Sequence, residues 1–412
     1  MDDRKTLISI NLANNGSTGK IMMQVAAFAK AQGYETYQVY PKRKGCNPMQ
    51  AGDIAICSEF WMKIYQRICR YIGFNGCSAM IPTAKLLKKL DKLQPSIIQL
   101  HNLHNSYINL PMLFRYIKRN NIPVVWTLHD CWAFTGHCPH FTFVGCEKWK
   151  TGCYGCNQYK LYPESAFDDS RRMYRLKQKW FCGVKNMTIV TPSRWLADLV
   201  KQSFLKEYSV QVINNGIDLS VFRPVESDFR KRQGIKMEAN IVLSVAFGWG
   251  STKKGLDVMV KLAQKLPENY QVVMVGTDDF IDQKLPDNII SIHRTNNQQE
   301  LAGIYSAADL FVLPTREENY PTVNMEAIAC GTPVLTFRTG GSSEIPDKRT
   351  GRVVDCDDFD AIYQEVLRIC KDKPYSQKDC LMRAKSFDMK AKYKQYLALY
   401  DEALCKKDMQ ST

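Results

Sequence analysis

The sequence has no apolar run that approaches the roughly 20 residues a membrane-spanning helix needs. Its opening stretch, MDDRKTLISINLANN, lacks the basic-then-apolar order of a secretory signal. Both absences point to a cytoplasmic protein. Zinc-finger, helix-turn-helix and RNP patterns are missing as well, which argues against a nucleic-acid partner. A triphosphate-binding loop is missing despite a near match. In NNGSTGK, Asn14 stands where the first glycine of G-x-x-x-x-G-K-[ST] belongs, and Ile21 stands where a magnesium-ligating hydroxyl belongs. Acid is scarce in one half only. Residues 1–200 hold 27 Lys and Arg against 12 Asp and Glu, whereas residues 201–412 hold 29 of each. The whole net charge of +15 therefore sits on the first half, and an anionic membrane surface is the partner that fits it.

What is present is an alternation of strand-like and helix-like runs, the pattern of α/β domains with parallel sheets. Strands are predicted at 7–13, 36–40, 97–104, 123–130, 187–193 and 210–218, with a helix at 20–32. The pattern restarts near 240, with strands at 240–248, 270–279, 288–294, 309–315 and 332–341 and a helix at 257–266. A length of 412 residues is more than one core usually supports. We therefore expect two Rossmann-like domains facing a central cleft. Their expected bounds are 1–222 and 239–385, joined by a linker at 223–238 and followed by a helical tail at 386–412. Polar clusters end the strands, where ligands sit in such sheets. They include NNGSTG, HNLHN, LHD, GWGSTKKG and PTREENY.

Four of the 15 cysteines fall together in CPHFTFVGCEKWKTGCYGC. Cys138, Cys146, Cys153 and Cys156 end in a C-x2-C pair, which a structural zinc site accepts. Reduced thiols in a folded loop are the other reading. The segment FWMKIYQRICRYIGF (60–74) mixes aromatic and basic residues at helical spacing, suited to an anionic lipid surface or to a half-buried domain helix.

The sharpest pattern is PTREENYPTVNMEAIACGTPV, with Glu318 and Glu326 separated by seven residues. Pro321 suits a first helical position, and the helix tip favours an anionic ligand. Together with INNGIDLSVFRP, TLHDCWAFTGHC and HNLHNSYINLP, this stretch resembles the retaining glycosyltransferases of family 4, which have the GT-B fold. The branch it resembles builds bacterial exopolysaccharides, colanic acid and O-antigens. The resemblance implies a hexosyltransferase that needs no metal or other cofactor. Its donor would be a nucleotide sugar, UDP-linked rather than GDP-linked, and its acceptor a glycan or a polyprenyl-diphosphate-linked sugar. No Asp-x-Asp pair sits where a metal-dependent transferase would need it. By the same resemblance, His129, Lys254 and Glu318 carry catalysis. Lys253, Asn319, Tyr320, Pro321, Thr322 and Glu326 hold the donor, and Gly16 and Gly19 approach its diphosphate. Ser17, Thr18, His104 and Asp130 lie on the acceptor side. The family often has arginine five residues before the lysine, where this chain has Trp249; Lys253 is the substitute cation. A nucleotide-sugar epimerase of similar fold and a non-catalytic binding protein are the alternative readings.

Overall fold

The computed structural model describes residues 5–411, so the first four residues of the opening stretch and Thr412 lie outside it. The chain forms two units, Met1–Ile213 with Tyr393–Thr412, and Asn214–Lys392. In the first unit seven parallel strands take the order β3-β2-β1-β4-β5-β6-β7. These are β1 Thr6–Ile10, β2 Glu35–Lys42, β3 Asp53–Ser58, β4 Ile97–Leu100, β5 Val124–Thr127, β6 Met187–Thr191 and β7 Ser209–Val212. In the second, six parallel strands take the order β10-β9-β8-β11-β12-β13. These are β8 Asn240–Val245, β9 Tyr270–Val275, β10 Ile289–Ile292, β11 Leu310–Leu313, β12 Val334–Phe337 and β13 Gly351–Val354.

The central strands read as largely apolar or β-branched runs because helices cover both faces of a parallel sheet. TLISI, VVWT, LFVL and VLTF are buried at every position. Ile8 pairs with Ile98 across β1 and β4, and Phe311 with Val334 across β11 and β12. Both sheets reverse their strand order once, between β1 and β4 and between β8 and β11. Ligands bind at the carboxyl ends of strands beside such a reversal; the loops quoted above leave these four strands and, for LHD, the adjacent β5.

The structure differs from the sequence reading at several points. The first helix, α1, runs Gly16–Ala31. Gly16, Ser17, Thr18 and Gly19 are therefore its first turn and not a loop preceding it. Gly19 makes this possible, since a Cβ there would lie 2.7 Å from the Asn14 carbonyl carbon. Strands β3 and β13 were not anticipated. The segment expected as a linker is packed instead. Phe229 and Ile235 are buried in the second unit's core, and Arg230 pairs with Asp309 at 2.7 Å. Its charged surface hid two apolar anchors. The terminal helix spans Met389–Ser411. From Tyr393 onward it belongs to the first unit, where Tyr393 donates to Gln24 at 2.6 Å and Asp401 pairs with Lys5 at 2.7 Å.

Candidate active site

In the second unit, β8 and β11 each deliver a loop to the strand reversal, and the two loops are stitched together. Arg316 N–H donates to the Lys253 carbonyl at 2.8 Å, and the Thr315 hydroxyl to the same oxygen at 3.1 Å. The Arg316 guanidinium reaches Asp257 and Asp357, each at 2.6 Å, and the Thr252 carbonyl at 2.7 Å. Two cation–carboxylate pairs follow. Lys254 Nζ stands 3.0 Å from Glu318 Oε2, and Lys253 contacts the buried Glu317. Gly255 has φ +76°, and a Cβ there would lie 2.2 Å from the Pro314 carbonyl oxygen. The close approach of the lysine turn to the glutamate loop thus requires glycine. Gly340 plays the same part on the other side, where a Cβ would lie 1.7 Å from the Glu318 carbonyl oxygen.

The helix after β11 runs Thr322–Ala329, with Pro321 as its N-cap. Pro321 therefore sits one residue before the first helical position expected for it. Lacking a side-chain oxygen, it leaves the first N–H groups of the helix uncapped, which suits an anion. Glu326 lies about one turn in and accepts from the Tyr305 hydroxyl at 3.2 Å. Tyr305 is wholly buried and holds this carboxylate from behind. Asn319 and Tyr320 are buried, and Thr322 half-buried, at the same tip. Trp249 is not in the site. It is 1% exposed within the apolar core and donates its indole N–H to the Val275 carbonyl at 3.0 Å. Lys253, the cation expected in place of the arginine missing there, is paired with the buried Glu317.

In the first unit, the residues after β1, β4 and β5 converge. Asn11 accepts from the Asn102 N–H at 3.2 Å, and its amide reaches Ala13 carbonyl at 2.9 Å. Gly16 and Ser17 are exposed at the α1 tip and Thr18 is half-buried. No side chain caps that tip. His101 Nδ1 and His129 Nε2 stand 3.0 Å apart. His104 bridges two groups, with Nε2 at 3.3 Å from Asp130 and Nδ1 at 2.7 Å from the Tyr162 hydroxyl. Burial pushes His129 down to about 4, against the pull of the Asp130 charge. Burial likewise holds His101 well below the ordinary histidine range. Burial opposes ionisation of Asp130, yet the His104 hydrogen bond keeps it below the usual carboxylate range. His129 is therefore a neutral imidazole at neutral pH, able to accept a proton or polarise a hydroxyl.

A stability prediction follows. The folded pKa of His129, about 4, lies below the unfolded value of roughly 6.5, so the unfolded chain binds more protons between them. Stability is expected to fall as pH drops from about 6.5 to about 4, and carboxylates held below their usual range, Asp130 among them, carry the fall further. Urea unfolding across that range measures it. His129→Asn should flatten the slope, with His101 and His137, also held down by burial, contributing to what remains.

The four loop cysteines line one cavity of about 230 Å³. The Cys138 thiol donates to Cys156, and Cys153 Sγ accepts the Gly136 N–H at 3.1 Å. No three such side chains among the described residues are arranged to hold a metal ion. The cysteines of the described chain are free thiols.

Sequence reasoning missed Arg316, Glu317, Tyr162 and Tyr305. The acidic pair in TREEN was visible beside KK, but only the folded loops reveal which lysine meets which glutamate.

Two family models match the chain in sequence. Glycosyltransferase Family 4 covers residues 19–221, and Glycosyl transferases group 1 covers residues 225–386. The chain belongs to glycosyltransferase family 4. This family-4 chain is 26% identical over 270 residues to an Escherichia coli K12 protein named a colanic acid biosynthesis glycosyl transferase, WcaC. The match covers 63% of this chain and 64% of that one, so the chain spans less than two thirds of that relative's length. Among solved structures it is similar to sucrose-phosphate synthase from Thermosynechococcus elongatus. The TM-score is 0.71 at 18% identity, over 98% of this chain and 100% of that one. It is also similar to Anabaena HepE solved in complex with UDP-glucose, with a TM-score of 0.65 at 12% identity over 97% and 99%. These neighbours establish the GT-B fold of the family-4 chain. No helix among the described residues is long and apolar enough to cross a membrane.

Proposed function

We propose that this protein transfers a sugar, with retention, from a nucleotide-sugar donor to a glycan or polyprenyl-diphosphate-linked acceptor in cell-surface polysaccharide synthesis. The observation that carries the reading is the Lys254–Glu318 pair beside the uncapped helix tip that leads into Glu326. A cation, free N–H groups and two carboxylates at one strand reversal suit a ligand with a diphosphate, hydroxyls and a ribose. UDP is the preferred carrier, GDP the rival; the UDP-glucose complex of the structural neighbour favours the first.

In this reading the second unit holds the donor. Glu318 contacts the sugar, Glu326 the ribose, and Asn319, Tyr320 and Thr322 lie along the sugar and phosphate. The C1–O bond to the diphosphate breaks as the acceptor hydroxyl enters on the same face. Positive character grows on the sugar and negative charge on the leaving diphosphate. Lys254 and the helix-tip N–H groups stabilise that charge, and Lys253 adds to it while anchored by Glu317. The departing phosphate oxygen takes the acceptor proton. The family resemblance gives neutral His129 a role toward the donor sugar, and the α1 tip (Gly16 to Gly19) one toward the diphosphate or the acceptor. His104 and Asp130 position the acceptor. No metal or other cofactor is needed for these steps. The basic first unit rests on the inner face of the membrane, where a lipid-linked acceptor lies.

Calorimetric titration against UDP, GDP and their sugar conjugates tests the donor site. Saturable binding of one nucleotide, unchanged by EDTA and weakened about tenfold or more by Glu326→Ala, is expected. Binding to none of them would overturn the reading. Full turnover with donor alone, giving an isomerised sugar, would favour an epimerase.

A further inference from the structure

The helix α2, Glu59–Ile72, has different chemistry on its two flanks. Lys63, Arg67 and Arg70, at helical spacings of four and three, line a cavity of about 380 Å³ with Asn105 and Tyr162. Two carboxylates are at hand. Lys63 pairs with Glu59 at 2.7 Å, and Arg70 pairs with Glu164 of the cavity wall at 2.5 Å. Arg67 has no carboxylate partner among the described residues. Arg43 acts electrostatically on both Glu59 and Tyr162, and its buried Nε has no acceptor. The cavity therefore holds more cations than carboxylates, with Lys63, Arg67 and Arg70 in its wall against Glu164. Its wall includes Tyr162, whose hydroxyl bonds His104, so one side chain links it to the His104–Asp130 pair.

The other flank of α2 is apolar. Ile68 and Ile72 line a groove of about 440 Å³ with Phe74, Met80 and Ile81. Ile68, Ile72, Met80 and Ile81 are 43%, 57%, 63% and 70% exposed. Phe60, Trp61 and Tyr71 are exposed on the same helix. Large apolar side chains clustered at a surface mark an interaction site. A soluble anion uses only the cavity, and an apolar peptide uses only the groove. One ligand type uses both, an anionic head joined to a hydrocarbon chain.

We infer that α2 seats the lipid that carries the acceptor, with its phosphate or diphosphate in the basic cavity and its chain along the apolar groove. The role assigned to the lipid rests on the glycosyl-transfer reading; the binding itself does not. Seated this way, a sugar on the phosphate reaches toward His104 and Asp130.

Flotation of the full-length chain with phosphatidylcholine vesicles doped with a long-chain isoprenyl phosphate tests this. Phosphatidylglycerol vesicles of equal surface charge and free pyrophosphate are the comparison probes. We expect at least about tenfold tighter binding to the isoprenyl phosphate than to phosphatidylglycerol. Lys63→Gln with Arg67→Gln should abolish that preference, and Ile72→Ser with Ile81→Ser should weaken vesicle binding while leaving pyrophosphate binding unchanged. All four side chains are exposed, so the variants should fold, and their nucleotide affinity should match the parent's. Equal binding to both vesicle types would reduce α2 to a generic anionic-surface contact and overturn the inference. So would a preference that survives the glutamine pair, or vesicle binding indifferent to the serine pair. Nucleotide binding without lipid preference defeats this inference alone; lipid preference without nucleotide binding defeats the transfer reading alone.

Discussion

Lys254→Ala is expected to lower kcat/KM by about 100- to 1,000-fold, the usual effect of removing one preorganised group facing a developing anion. The side chain is half-buried, and its turn is held by Gly255 against Pro314 and by the Arg316 bonds, so it needs no reorganisation as charge develops. Its partner makes the loss larger than a missing cation alone. Without Lys254, the Glu318 carboxylate faces the departing diphosphate unneutralised. Combining Lys254→Ala with Glu318→Gln should therefore cost less than the sum of the two single changes, as contacting residues do in double-mutant cycles. Steady-state kinetics with the donor identified by calorimetry measures both. An unchanged kcat/KM in the alanine variant would remove Lys254 from the reaction.

Trp249→Arg restores the residue that the family often carries five positions before the lysine, and it is expected to damage the protein. Trp249 fills a core with Val258, Met259 and Leu262, and its only exposed fraction is 1%. Arginine there buries an unpaired charge and leaves the Val275 carbonyl without the indole donor. Losses above about 4 kcal/mol follow from such combined cavity and charge effects. Thermal unfolding should show the second unit melting early, with no gain in donor affinity. A stable variant with tighter nucleotide binding would show that position 249 can reach the ligand. The expectation follows from the backbone path. Gly248 at φ +77° turns the loop so that Phe247 is 93% exposed and Trp249 points into the core.

Much of the architecture was legible because parallel strands covered on both faces are continuous apolar runs, which few other structures tolerate. Strands such as LFVL and VVWT announced themselves, as did the polar residues that follow them. Shorter or mixed strands did not. DIAICS in β3 is only partly buried, and GRVV in β13 carries an exposed arginine. The start of α1 was misplaced because glycine signals a loop by local propensity. Here Gly16 and Gly19 serve a helix turn closing on the strand exit, a tertiary demand that overrides propensity.

The sequence by itself determined two α/β units, the polar loops at their strand ends, and the Glu318 and Glu326 spacing. These are properties of local pattern, since hydrophobic runs and residue intervals survive in one dimension. Only the tertiary structure decided which charges meet. It set Lys254 on Glu318 and Lys253 on Glu317, sent Trp249 inward, joined His101 to His129, and gave α2 a basic cavity on one side and an apolar groove on the other. Such pairings depend on loops that leave non-adjacent strands, brought together where each sheet reverses its order. The side-chain directions and distances that decide them are absent from the linear spacing.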